Sequence, residues 1–135
     1  MKSFNISHLL TIFIGISGCF SVLFGAWLAH AGQHLLEQEQ VRLSSALQYQ
    51  LLHTLALLAV TVWYQIKPRN VLLFSAGLFA FGILAFSGSI YVKTLFALNS
   101  FGQFAPVGGM AMALGWLCLI SVSYTHLTLP TNREV

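Results

Sequence analysis

Residues 43–69 read LSSALQYQLLHTLALLAVTVWYQIKPR. No charge interrupts this stretch between Leu43 and Ile66. It closes on Lys67-Pro68-Arg69, a basic turn with a helix-ending proline. A transmembrane helix needs roughly 20 mostly apolar residues to cross about 30 Å of hydrocarbon. The run is continuously apolar rather than alternating, and a barrel strand would be only about 9–11 residues long. The stretch therefore predicts one membrane-spanning helix near 46–66.

The same reading extends in both directions. The charges cut the chain into further uncharged runs at 3–36, 70–92 and 94–132, each long enough for one crossing. Helices are expected near 8–30, 70–92 and 104–123. The fold class expected is all-α: one integral membrane domain over residues 1–122, a four-helix antiparallel bundle. The first run begins with Lys2 and carries Ala29-His30-Ala31, which fits a signal-peptidase site. Its apolar part, Leu9 to Leu28, exceeds the roughly 7–15 residues of a signal h-region, so it reads as a retained helix.

Composition agrees. Of 135 residues, 57% are hydrophobic and 7% are charged, against about 25% charged in an ordinary soluble domain. So few charges could not cover a water-soluble surface of this size, and soluble enzymes, disordered tails and nucleic-acid binders are excluded. The net charge of +3 comes from residues in short loops that form no basic patch. The partner implied is the lipid bilayer, with a second copy or another membrane protein as further candidates. An even number of spans puts both termini on one side. Lys2, Lys67 and Arg69 then lie with the termini, Arg42 and Lys93 opposite them, and the positive-inside rule expects both termini in the cytoplasm. Residues 123–135 are polar and resemble a translated cloning or adapter read-through, so they and His126 are set aside. The first connector, Gly32 to Ser45, reads equally as a short interfacial helix or a solvated loop. The third, Lys93 to Gln103, carries Leu95, Phe96, Leu98 and Phe101 and is expected to dip into the headgroups. Cys19 and Cys118 fall mid-span, give no disulfide framework and read as small buried hydrophobes.

The polar residues within the spans are the informative ones. His30 ends the first helix. Gln48, Tyr49, Gln50, His53 and Thr54 begin the second, Ser87, Ser89 and Tyr91 end the third, and Pro106, Gly108 and Gly109 begin the fourth. All fall on one side of the membrane, while the opposite half is nearly pure hydrocarbon. Polar groups in lipid must find partners inside the protein, so a polar cluster is expected at that end of the bundle. Tyr49 and His53 share a helix face, as do Gln50 and Thr54, with Ser87 and Ser89 the expected partners of His53. The cluster reads first as interhelical glue, and alternatively as a ligand, proton or metal site. Ser17, Ser21, Gly25 and Ala29 form a small-residue stripe at four-residue spacing, a device for close helix packing. His30 and His34 with Glu37 lack a third firm ligand, and His30 and His53 lie at different depths for a haem, so no metal or cofactor is expected. Pro106 suits the first turn of a helix, with Gly108 and Gly109 for close packing. No Ser/His/Asp set, paired carboxylates, CxxC or phosphate loop occurs, and the expected role is non-enzymatic. The alternatives are a small oligomeric transporter or channel with His53 and Tyr49 in its path, and an intramembrane metal or haem protein.

Taken in order, the motifs Gly25-Ala26-Trp27-Leu28-Ala29-His30, Tyr49-Gln50-Leu51-Leu52-His53-Thr54-Leu55-Ala56, Phe86-Ser87-Gly88-Ser89-Ile90-Tyr91 and Pro106-Val107-Gly108-Gly109, followed by Gly115-Trp116, carry a resemblance. Over roughly residues 8–120 the chain resembles the YgdD-like small inner-membrane proteins, the domain-of-unknown-function 423 family of UPF0382 type. The resemblance implies a four-helix protein of the bacterial inner membrane. Leu28 departs from the glycine expected there, and the chain lacks the short basic close of the family. The family has no established biochemical activity, so it assigns no catalytic residues.

Overall fold

A computed structural model of the chain describes the backbone of residues 5–133 and the side chains of residues 5–123. Apart from Ser123, the 123–135 tail, His126 included, has its side chains outside the described residues. Four segments are long and apolar enough to cross a membrane: Ile6–His34, Glu37–Ile66, Asn70–Phe96 and Asn99–Ser123. Among the described residues there is no strand.

Helix α1 (Ile6–His30) opens with Asn5, whose side chain accepts from the Ser7 N–H at 3.2 Å, an N-cap that satisfies one of the free amides of the first turn. A 3₁₀ turn, Ala31–His34, leads to α2 (Glu37–Ile66). Here the structure settles the first connector differently from either reading. Its second half is neither a separate helix nor a loop but the first turns of α2 itself. Side chains fix that start: the Glu39 carboxylate accepts from the Leu36 N–H at 3.1 Å, and the Gln40 amide donates to the Leu35 and Gln33 carbonyls at 2.8 and 3.2 Å. Sequence periodicity in a mixed polar stretch does not reveal such caps.

Helix α3 (Asn70–Gly82) runs without a break through a π turn, Ile83–Gly88, into α4 (Ser89–Phe96). The third span ends at Ala97, which sits in the left-handed region at φ 56°. Glycine is the usual residue for that terminating conformation, so nothing in the sequence marks it. A second 3₁₀ turn, Asn99–Gln103, precedes α5 (Phe104–Arg133), with Pro106 in its first turn, where a missing N–H costs nothing.

Short connectors force successive spans to run antiparallel. Helix α1 leans on α2, α2 on α3 and the π turn, and α3 with the π turn on α5. One apolar layer, Leu10, Leu57, Val60, Leu72, Ala76, Phe79 and Val122, fills the half of the bundle nearer the termini. A second, smaller one, Leu28, Leu43, Ala46 and Tyr91, lies at the other end. Most other large apolar side chains face outward, as they must in a chain whose solvent is lipid. Cys19 is among the exposed residues and Cys118 is half-buried. Both are free thiols, and neither is the fully buried hydrophobe its mid-span position suggests.

Candidate functional site

The polar residues do not gather as one cluster at the end of the bundle. They form two separate networks, and the principal one lies between the two apolar layers. The reason is the extended α2. With about 1.5 Å of rise per residue, Gln50 stands roughly 24 Å from Ile66, and Ser17 roughly 17 Å from Ile6 on the same side. Both levels fall inside about 30 Å of hydrocarbon.

In the first network Tyr91 from α4 donates its hydroxyl to Gln50 Oε1 at 2.7 Å. Gln50 Nε2 donates to Ser17 Oγ at 3.0 Å, with a longer approach to the Ser17 carbonyl at 3.4 Å. Ser17 Oγ and Thr54 Oγ1 are 2.7 Å apart, and Thr54 Oγ1 donates to the Gln50 carbonyl at 2.7 Å. Thr54 has one hydroxyl proton and spends it on that carbonyl, so Ser17 must donate to Thr54. This in turn requires Ser17 to accept from Gln50. The amide orientation is thereby fixed: the reverse would leave the Tyr91 proton without an acceptor and the Ser17–Thr54 contact without a proton. Ser21 Oγ donates to the Ser17 carbonyl at 2.8 Å. Ser17, Ser21, Gln50, Thr54 and Tyr91 are all buried, and every hydroxyl proton is used. Phe20 and Phe24 cover the Tyr91 ring at centroid distances of 5.6 and 4.9 Å.

The second network centres on His53. Its Nδ1–H donates to the Tyr49 carbonyl one turn back at 2.8 Å, and the Trp116 indole N–H donates to its Nε2 at 3.1 Å. Since an indole nitrogen only donates, Nε2 must carry the lone pair and Nδ1 the proton. Both ring nitrogens are engaged. Tyr49 stacks on the imidazole at 6.0 Å with an interplanar angle of 4°, and Phe79 and Trp116 meet it edge-on. As a haem or metal ligand His53 would have to give up the Trp116 bond.

The other predicted residues are dispersed. Ser87 does not pair with His53: its hydroxyl donates across to the Ala46 carbonyl at 2.7 Å, tying the π turn to α2. Ser89 likewise turns away and donates to the Phe86 carbonyl at 3.0 Å. His30 and Pro106 are exposed. Gly108 is buried against the Ala85–Phe86 backbone, and Gly109 lies beside the Phe86 ring. Along the small-residue stripe, Ser17, Ser21 and Gly25 face α2, while Ala29 is exposed. His34 Nδ1 is engaged with the Ala31 carbonyl at 2.6 Å, and among the described residues no three His, Cys, Asp or Glu side chains gather.

Three residues have roles that the sequence does not assign. Ser17 reads as a packing position, although its hydroxyl is the hinge of the first network. Trp116 carries the indole donor to His53. Ser75, outside both networks, donates its hydroxyl to the Gly115 carbonyl at 2.8 Å. The signal that could have found Ser17 and Ser75 is a serine on the buried face of an otherwise apolar span. Nothing local could have paired Trp116 with His53.

Beside the first network a cleft of about 240 Å³ opens between α1 and the π turn. Phe13, Ile16 and Phe20 wall it on one side and Ile83 and Leu84 on the other, with Ser17 and Gln50 at its floor. The wall is almost wholly apolar because the polar floor atoms are turned into their own network.

A family model described as "Protein of unknown function (DUF423)" matches residues 24–109. The "UPF0382 membrane protein" of Haemophilus influenzae is 33% identical over 117 residues, covering 86% of this chain and 94% of that protein. The "UPF0382 inner membrane protein YgdD" of Escherichia coli strain K12 is 33% identical over 115 residues, covering 84% and 88%. The "UPF0382 membrane protein SSP2132" of Staphylococcus saprophyticus is 33% identical over 106 residues, covering 78% and 88%. No solved structure matches.

Proposed function

The chain belongs to the DUF423 family of membrane proteins, and from that premise we propose that it is a non-enzymatic protein of the bacterial inner membrane that acts by binding within the bilayer. The observation that carries this reading is the closed hydrogen-bond accounting of its buried polar residues. Every hydroxyl proton in the Tyr91–Gln50–Ser17–Thr54 network is spent, and both nitrogens of His53 are engaged. Neither network offers an idle base, nucleophile or ion ligand. The same accounting weighs against transport through His53, since a conducted proton or ion would have to break the Trp116 bond that ties α2 to α5. The polar groups then serve as glue, and binding falls to the apolar surfaces between spans.

The cleft between α1 and the π turn suits a stretch of hydrocarbon chain. At about 240 Å³ it is smaller than the ~300–1,000 Å³ of a site for a drug-sized ligand, and its mouth faces lipid. Native mass spectrometry of detergent-exchanged protein tests the reading. Wild-type protein should retain a bound lipid, and Ile16→Trp, which fills the cleft, should not. Wild-type protein that carries neither lipid, nor partner, nor a second copy would overturn the proposal. Both termini are placed in the cytoplasm on the three-to-two charge count, and a reporter fused after Ser123 and active only outside the cytoplasm would reverse that orientation.

A further inference from the structure

A second concavity, of about 480 Å³, lies on the other side of the α1–α2 seam from the cleft, at the end where α2 begins. One wall comes from α1 and the turn after it, with Gly25, Leu28, Ala29 and Gln33. The other comes from the first turns of α2, with Glu37, Gln40, Val41 and Ser44. Gly25 and Ala29 leave room where larger side chains would close the groove.

Its depth follows from helix geometry. About 30 Å of hydrocarbon takes roughly 20 residues of helix. Counted from the opposite ends of their spans, at Ile6 and Ile66, that brings α1 to Ala26 and α2 to Ala46. The groove therefore straddles the boundary, with its apolar residues Gly25, Leu28 and Leu47 close to the hydrocarbon edge and Gln33, Glu37 and Gln40 on its water side, roughly 9–14 Å beyond it by the same count.

Its chemistry is one-sided. Both hydrogens of the Gln40 amide are spent, on the Leu35 and Gln33 carbonyls, and the Gln33 amide donates to the Leu28 carbonyl at 3.1 Å. The amide oxygens of Gln33 and Gln40 remain as acceptors. Glu37 is the one charged residue of the lining, and among the described residues no cation pairs with it. Arg42 is no neighbour of the groove, since at 3.6 residues per turn it stands about 140° around α2 from Glu37. A carboxylate that shares one lining with two amide oxygens, on the water side of the hydrocarbon edge, complements a cation that donates several hydrogen bonds and trails hydrocarbon.

We propose that this groove binds the primary ammonium headgroup of an aminophospholipid. The inference rests on the reading of the chain as a binding protein of the membrane, but it concerns a different site from the cleft. A primary ammonium presents three N–H donors to Glu37 and the glutamine oxygens. The trimethylammonium of a choline lipid carries the same charge and can donate none, so the site discriminates by hydrogen bonding rather than by charge alone.

The test is lipid retention by native mass spectrometry of full-length protein, titrated with phosphatidylethanolamine, phosphatidylcholine and phosphatidylglycerol of identical chains. Phosphatidylethanolamine should be favoured about tenfold over phosphatidylcholine, as the loss of charge-assisted hydrogen bonds implies. Glu37→Gln should abolish most of that preference, and Glu37→Lys should shift it toward phosphatidylglycerol. Glu37 is exposed at the start of α2, and circular dichroism of both variants confirms that they remain folded. Equal retention of the ethanolamine and choline lipids, or an unchanged preference in folded Glu37→Gln, overturns the proposal. So does free ethanolamine binding as tightly as the lipid, which would make this a site for a soluble amine. If the preference is absent while Ile16→Trp still strips a lipid from the cleft, this inference fails alone. If the wild type holds no lipid, partner or second copy, the broader reading fails with it.

Discussion

At the seam that α3 and the π turn make with α5, backbone lies against backbone. A Cβ added at Gly108 would collide with the Phe86 backbone N and approach Ala85 C to 2.8 Å. One at Gly115 would lie 2.7 Å from the Phe79 ring. At the seam between α1 and α2 the helices are held by side chains instead. Ser17, Gln50 and Thr54 bond across it, Tyr91 braces it from α4, and a Cβ on Gly25 would meet only the tip of Leu47 at 3.3 Å. Both seams carry small residues, at four-residue spacing along α1 and seven apart at Gly108 and Gly115 of α5, and only the α5 seam uses them for close backbone approach. The difference teaches that in lipid, where no hydrophobic force draws helices together, the shares of close packing and hydrogen bonding differ from seam to seam: the Ser75 bond to the Gly115 carbonyl adds to tight packing at α3–α5, while a linked network of side chains carries α1–α2. The α1–α2 seam has a concavity on either side of it.

Four substitutions would break or sharpen this contrast, each read as unfolding free energy in detergent. Gly108→Ala should have the largest effect, at the upper end of the ~1–3 kcal/mol typical of overpacking, because backbone cannot yield as a side chain can. A neutral result would mean that the π turn and α5 do not meet as closely as described. Gln50→Leu should follow at about 1–2 kcal/mol, given an average of about 0.6 and a maximum near 1.7 kcal/mol per interhelical bond in membranes. Hydrogen exchange should then quicken in α1 before α3. Equal exchange in both would argue against a polar adhesive specific to the first seam. Trp116→Phe removes one bond to His53 and should cost about 0.6 kcal/mol. A much larger cost would point to an indole role beyond that bond. Gly25→Ala should be smallest, within about 0.5 kcal/mol, since Leu47 can shift and alanine favours helix. A cost matching that of Gly108→Ala would erase the distinction between the seams.

Much of the architecture is legible along the chain. Uncharged runs closed by Lys67-Pro68-Arg69 and Lys93 delimit the spans, because each charge must escape hydrocarbon. What is not legible is local and cooperative. The start of α2 depends on Glu39 and Gln40 reaching back to Leu36, Leu35 and Gln33, and α4 stops at an alanine in a glycine's conformation. The π turn at Ile83–Gly88 coincides with the place where Gly108 presses on the Ala85–Phe86 backbone, a tertiary contact that no periodicity encodes.

The candidate site divides along the same line. Gln50, Thr54 and Tyr91 stand out in the sequence because a polar side chain in lipid must be satisfied somewhere. Which partner satisfies it depends on how the helices are rotated and how far each extends. Ser17 therefore joins Gln50, while Ser87 turns to Ala46 rather than His53. By itself the sequence determined the membrane environment, the four spans and the inventory of polar groups within them, because the cost of burying charge in hydrocarbon is local to each residue. Only the tertiary structure decided that those groups form two closed networks between apolar layers. Hydrogen bonds are directional and short, and their pairing exists only once the helices have met.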